Sequence, residues 1–175
     1  MDWFVRAFLK ASLAWLALGV TLGVAMAAHP VWTVYRVAHL HMLLLGFVTM
    51  MIYGVAYHVV PRFAGFPLHS RRAAGWHWWA SNAGLALMAA GFALRARGGL
   101  GTATAALAMG GLLSALGAYT FAYLLWRTLD GPAALRDAAR RAREAAASAP
   151  ARGLPLAGRR DGAQREGTTA RRTVP

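Results

Sequence analysis

Four long runs of apolar residues alternate with short polar or turn-forming segments along the chain. The runs cover residues 8–28, 38–60, 76–94 and 102–126, and each has close to the length of about 20 residues that a membrane-spanning helix requires. The breaks read HPVW, PRFAGFP and RARGGLG, which are rich in the glycine and proline that punctuate helices. Because short loops join antiparallel neighbours, the pattern predicts an all-α fold in which residues 1–129 form a four-helix transmembrane up-and-down bundle.

The distribution of charge supports a location in lipid. Hydrophobic residues make up 58% of the chain and charged residues 14%, against about 45–50% and about 25% in soluble domains. All six acidic residues lie at position 2 or from position 130 onward, so the apolar region has no acidic surface. The net charge of +13 does not indicate nucleic-acid binding, because ten of the nineteen basic residues follow Arg127 in a tail.

Basic residues near the helix ends predict the topology. Both termini and the second loop carry most of them, whereas the opposite side has only Arg36, Arg95 and Arg97. We therefore expect an integral protein of the bacterial inner-membrane type with cytoplasmic N and C termini. Residues 130–149 are predicted to form an amphipathic helix on the lipid surface. Residues 150–175 are predicted to be a basic, largely disordered C-terminal tail.

The first apolar run has a second interpretation, as a cleaved secretory signal. It has a basic head, an apolar core and the sequence Ala25-Met26-Ala27, which is like a cleavage site. Its apolar core is longer than the usual 7–15 or so residues of a signal, and its Gly19-x-x-x-Gly23 sequence is typical of packed membrane helices. We expect residues 1–27 to be retained as the first membrane helix.

Two histidines just inside the second apolar run are the main candidates for chemistry. The chain has no cysteine, so metal binding falls to histidine, with methionine second. His39 and His41 point roughly 200° apart on a helix, which favours one axial imidazole on haem b over chelation of a small ion. Gly46 would leave room for the macrocycle, and Arg36 would pair with its propionates. His29, at the same depth, is a candidate second axial ligand.

Plainer interpretations remain for several of these residues. Gly46 would equally allow close helix approach, and His29, which precedes Pro30, would be solvated. His58 and His77 flank the second loop, where interfacial anchoring is the expected role and a second metal or haem site is the weaker alternative. His39 and His58 are about 28 Å apart along one helix, so one site cannot use both.

The pattern His39-x-His41, Gly46-Phe47, Gly54, Pro61, Gly65 resembles the second helix of the haem-copper oxidase subunit I superfamily. It is particularly similar to the NnrS family of haem- and copper-containing membrane proteins. The resemblance covers residues 38–129 and implies that His39 binds a haem near the outer face, with His41 as the second histidine of the motif. The chain lacks the later helices that carry the catalytic haem and copper ligands, so the resemblance implies no oxygen or nitric oxide reduction by this chain alone and no catalytic residue.

The sequence thus predicts a membrane b-type haem protein that acts in electron transfer or in gas or haem handling. Its expected partners are the lipid bilayer, haem, and either a second copy in a homodimer or subunits of a respiratory complex. Two alternatives stay open. One is a non-catalytic accessory or assembly subunit of a respiratory oxidase, and the other is a handler of copper or another metal that uses the outer histidines with Met26 or Met42.

Overall fold

The structure, a computed structural model, describes residues 1–148, and every regular element among them is a helix. The prediction of an all-α fold is confirmed for this part of the chain. The first long helix is Trp3–Ala28. The second helix is the continuous segment Pro30–Ala64, which is made of four successive pieces. The elements are α1 (Trp3–Ala28), a 3₁₀-helix (Pro30–Tyr35), α2 (Arg36–His41), a π-helix (Met42–Thr49), α3 (Met50–Ala64), α4 (Arg71–Ala96), α5 (Leu100–Asp130) and α6 (Ala133–Ser148).

The helices extend beyond the apolar runs at most of their ends. The start of α4 is set by Ser70, whose hydroxyl accepts a hydrogen bond from the Ala73 amide at 3.3 Å, as helix N-caps do. The second helix continues through Pro61 and ends at Gly65, which has a φ of 72°. The second helix therefore ends within the predicted break PRFAGFP, at its left-handed glycine and not at its proline.

The second helix runs antiparallel to α1, and glycines set how closely the two approach. A Cβ on Gly23 would lie 2.9 Å from the ring of His39, and a Cβ on Gly54 would lie 3.2 Å from Cβ of Phe8. Late residues of one helix thus meet early residues of the other. This is the packing role that the sequence indicated for the Gly19-x-x-x-Gly23 motif.

Helices α4 and α5 pack along a seam of small residues. A Cβ on Gly84 would lie 2.8 Å from the Gly110 carbonyl oxygen, and a Cβ on Gly110 would lie 2.6 Å from that of Gly84. The two backbones are therefore in contact, which only glycine permits at this distance. Gly91 meets Leu107 farther along in the antiparallel direction.

The core lies toward the end of the bundle where α1 begins and α4 begins. Trp15 donates its indole N–H to the Asn82 side-chain oxygen at 3.1 Å, which joins α1 to α4. The buried core cluster consists of Phe4, Val5, Phe8, Met50, Tyr57, Ala74, Leu85 and Leu124. All four long helices contribute to it, so the helices form one packed unit.

Three helical segments are long and apolar enough to cross a membrane: Trp3–Ala28, Pro30–Ala64 and Leu100–Ser148. Large apolar side chains on them face outward, such as Val24 with 64% of its surface exposed, which suits contact with lipid. Helix α4 is not one of the three. Its first half carries His77, Ser81 and Asn82, which lower its apolarity, and two of these are buried against the other helices.

The segment predicted as a surface helix, 130–149, contains α6. An ion pair joins Arg140 to Glu144 at 3.4 Å, one turn apart on its surface. Its contact with lipid stays a prediction. The tail predicted to be disordered, 150–175, lies outside the described residues.

Candidate functional site

His39 packs against α1 and is held there by a hydrogen bond. Its Nδ1 lies 2.9 Å from the carbonyl oxygen of Gly19, and its ring fills the space beside Gly23. Because a carbonyl oxygen can only accept, Nδ1 must carry the proton. Nε2 of the neutral ring therefore keeps a lone pair, which is the form that binds a metal.

His41 has the same tautomer but a different neighbour. Its Nδ1 lies 2.8 Å from the carbonyl oxygen of Val37, one turn back in its own helix. Its ring centroid is 4.9 Å from that of Phe92 on α4. His39 and His41 thus face different helices, in line with their two-residue spacing, and both are only partly buried.

The π-helix starts directly after His41 and changes where the following residues point. Its backbone bonds span five residues instead of four, and Thr49 makes the matching side-chain bond to the Leu44 carbonyl at 2.8 Å. A Cβ on Gly46 would lie 2.6 Å from Trp15 and 2.9 Å from Leu85. Gly46 therefore lets the helices approach closely, and the role predicted for it, leaving room for a macrocycle, does not fit this packing.

The other outer candidates lie at the surface. His29 caps the end of α1, where its amide donates to the Ala25 carbonyl at 2.9 Å. Its ring packs on Trp32, with the centroids 5.7 Å apart, rather than on His39. Arg36 is exposed one turn before His39, where its guanidinium can reach an anionic group at the helix end.

Among residues 1–148, no three histidine, aspartate or glutamate side chains lie close enough together to hold one metal ion. A compact tetrahedral zinc site takes at least three protein ligands. Haem needs only one or two axial side chains, so the arrangement of His39 and His41 is compatible with haem but not with a compact site.

The two inner candidates, His58 and His77, are not brought together. Nε2 of His58 contacts the guanidinium of Arg62 on the same helix. His77 faces the interior with 1% of its surface exposed. The second metal or haem site considered for this pair is therefore not formed, and the expected interfacial anchoring does not describe His77.

His77 lies inside a cage of aromatic rings and is bonded on one side only. Its Nδ1 is 2.8 Å from the hydroxyl of Tyr57, while its Nε2 is buried without a hydrogen-bond partner among residues 1–148. The rings around it are those of Phe8, Tyr53, Tyr57 and Phe121, with centroids 4.5–5.9 Å away. The sequence contained one signal for the pair: Tyr57 and His77 are each ten residues from Pro67 in the loop between antiparallel helices.

A cleft of about 340 Å³ lies beside Tyr57 at the end of the bundle where the second helix ends. Tyr57, His58, Arg62 and Arg71 line it, together with Asp2, whose carboxylate pairs with Arg71. Tyr57 thus contacts the cleft and the buried imidazole at the same time.

No known protein family matches the sequence of this chain, and no curated protein does.

Proposed function

We propose that the chain is a membrane protein that binds b-type haem through His39 at the outer end of its second helix. The observation that supports this most directly is the hydrogen bond from Nδ1 of His39 to the Gly19 carbonyl. Histidines that bind metals usually donate their other ring N–H in this way, which fixes the ring and strengthens the lone pair on Nε2.

The donor set fits haem, whereas the interior beside Gly46 does not have room for it. Since Trp15 and Leu85 fill that space, Gly46 would have no part in holding the group. Nε2 of His39 would bind the iron and Arg36 would pair with a propionate. A second nitrogen ligand would come from His39 of a second copy, because His41 faces α4 and the ring of His29 packs on Trp32. Bound haem would supply one-electron transfer or gas binding.

The proposal includes α4 as a fourth membrane span. It has 26 residues, enough to cross the hydrocarbon core at 1.5 Å per residue. It packs antiparallel to α5, which is itself apolar enough to span. The polar residues that lower its apolarity, His77 and Ser81, face protein and not lipid, as polar groups in membrane bundles do. Both termini are then on the cytoplasmic side.

The test is the optical spectrum of the full chain expressed with ample haem supply and measured oxidised and reduced. We expect a Soret band that is lost in His39→Ala, because no other side chain would replace the axial nitrogen. His69→Ala is the matched control, since this histidine is exposed in the loop before α4 and should leave the spectrum unchanged.

Two outcomes would contradict the proposal. One is a colourless wild-type protein, and the other is a band that survives in His39→Ala. A colourless chain that co-purifies with oxidase subunits would favour the accessory-subunit alternative instead. Metal bound without colour would favour the metal handler.

A further inference from the structure

The cleft of about 340 Å³ lies where three helix ends meet, at the start of α1, the end of the second helix and the start of α4. Ligand sites in proteins have volumes of about 300–1,000 Å³, so this cleft suits a small group. Val5, Pro61 and Leu68 give part of its wall an apolar character. Its charged side chains therefore decide which polar group can bind.

Positive charge exceeds negative charge in this cleft. Arg62 and Arg71 line it, and the carboxylate among its lining residues is that of Asp2, which pairs with Arg71. Between Asp2 and Asp130 the sequence has no acidic residue, and within residues 1–148 Arg62 forms no ion pair. The two guanidinium groups and the carboxylate together leave a surplus of one positive charge.

Arg62 is held against its own helix in a way that leaves hydrogen-bond donors for a ligand. Its Nη1 donates to the carbonyl oxygen of His58 at 3.0 Å and contacts Nε2 of the same histidine. The N–H groups on Nη2 and Nε have no hydrogen-bond partner in the part of the chain that the structure describes. A guanidinium presents such groups as a planar fork, which matches the oxygen atoms of a phosphate group.

The cleft lies at the depth where lipid headgroups are found. Trp3–Ala28 and Pro30–Ala64, which are both apolar enough to cross a membrane, each have one end here. Trp76 and Trp79 are exposed and follow Arg71 on α4 by about 7.5 and 12 Å. Because exposed tryptophans mark the boundary between hydrocarbon and headgroups, the cleft lies on the water side of that boundary.

We propose that this cleft binds a phosphate group, with Arg62 and Arg71 as its cationic ligands. The charge of the phosphate balances the surplus in the cleft, and the phosphate competes with Asp2 for Arg71. A lipid headgroup and inorganic phosphate present the same oxygen atoms to the two arginines, and the experiment separates these sources. The site uses neither His39 nor haem, so its failure and that of the haem proposal are distinguishable.

The experiment is isothermal titration calorimetry on the full chain in micelles of an uncharged detergent, with titrations into empty micelles subtracted. The probes are a short-chain phosphatidate, the diacylglycerol with the same acyl chains, which lacks only the phosphate group, and inorganic phosphate. We expect saturable binding of phosphatidate and none of diacylglycerol. Binding of phosphatidate without inorganic phosphate identifies a lipid headgroup as the ligand, and binding of inorganic phosphate identifies the free ion. Equal binding of both lipids, or no binding of any probe, would overturn the proposal.

Arg62→Gln tests the first arginine, with Arg72→Gln as the matched control. We expect Arg62→Gln to raise the dissociation constant of the probe that binds by about tenfold, because a charge-assisted hydrogen bond is lost. Arg72 is exposed and adjacent to Arg71 in the sequence, but it does not line the cleft, so its substitution should leave the constant unchanged. Equal weakening by both substitutions would show a general attraction to basic residues and would overturn the site.

Asp2→Asn tests the second arginine without removing it. The substitution releases Arg71 from its ion pair, so we expect the dissociation constant to fall by about twofold to fivefold, which corresponds to an exposed ion pair. Circular dichroism of the variant checks that its helices are retained. Unchanged or weaker binding by the folded variant would show that Arg71 serves only to join α1 to α4, and would overturn its role as a ligand.

Discussion

Single glycines decide how closely the helices of this protein approach. Gly110 and Gly84 are in backbone contact across the α4–α5 seam, whereas an added Cβ on Gly111, the next residue, would meet nothing within 4 Å. The two neighbouring glycines are identical in sequence terms and differ only in the direction in which each faces. They provide a direct test of the seam.

Gly110→Ala should destabilise the protein and Gly111→Ala should not. The first substitution forces two backbones apart, a type of overpacking that costs about 1–3 kcal/mol. The second adds a methyl group to an open helix surface and should stabilise the helix by up to about 1 kcal/mol. Thermal unfolding followed by circular dichroism in detergent micelles measures both, and equal midpoints would show that the seam is not in contact.

His39 and His77 show that a residue type does not define its role. Both have one ring nitrogen hydrogen-bonded. The partner of His39 is a carbonyl, which fixes the tautomer, whereas the partner of His77 is a hydroxyl, which can donate or accept. This difference is one reason that the ligand role is proposed for His39 and not for His77.

At the scale of the element, α1 is an integral part of the core and not a removable extension. Phe4 and Phe8 have 1% and 0% of their surfaces exposed, and their rings contact Tyr57 of the second helix. Buried aromatic side chains of this kind contribute about 3–5 kcal/mol each. A chain cleaved after Ala27 would lose both of them.

We therefore predict that residues 1–27 remain in the purified protein. Intact mass spectrometry of protein extracted from membranes should give the mass of the chain with these residues included. Matched expression of a version that begins at Ala28 should give little folded protein. A mature mass that lacks residues 1–27 would contradict the core packing and support the signal interpretation.

The second helix shows how an element can be predicted correctly while its geometry is not. Its apolar run predicted a helix, and the helix is present. The π-helical part over Met42–Thr49 breaks the 3.6-residue periodicity of an α-helix, so it shifts the faces on which the residues after His41 lie. Within this segment Gly46 packs against Trp15 and Leu85, which belong to other helices and are not part of the local sequence.

At the scale of the whole molecule, the number of helices that cross the bilayer sets the side on which each loop lies. Within residues 1–148, three segments are apolar enough by composition, and α4 falls short. If α4 spans, the loop before it and the loop after it lie on opposite sides of the membrane. The absence of cysteine from the chain makes this measurable with single substitutions.

We predict that Arg97→Cys reacts with a membrane-impermeant maleimide in spheroplasts and that His69→Cys reacts only after the membrane is opened. Both positions are exposed at opposite ends of α4. The unsubstituted chain is the control and should take up no label. Labelling of both positions from the same side would show that α4 does not span, and the reverse pattern would contradict the proposed orientation.

The sequence by itself determined that the described part of the chain is helical and that much of it suits lipid. Apolar runs and turn residues are local properties, and helix formation in a membrane depends on little else because every backbone group must bond within its own segment. The histidine spacing likewise fixed that His39 and His41 face different ways.

Only the tertiary structure decided which residues meet across helices. The Gly19 carbonyl that orients His39, the packing that fills the space at Gly46, and the hydroxyl of Tyr57 on His77 all come from residues at least twenty positions away or on another helix. Such contacts depend on rotation and on the distance between helix axes. Those are set by the sum of many side-chain contacts, which no single stretch of sequence contains.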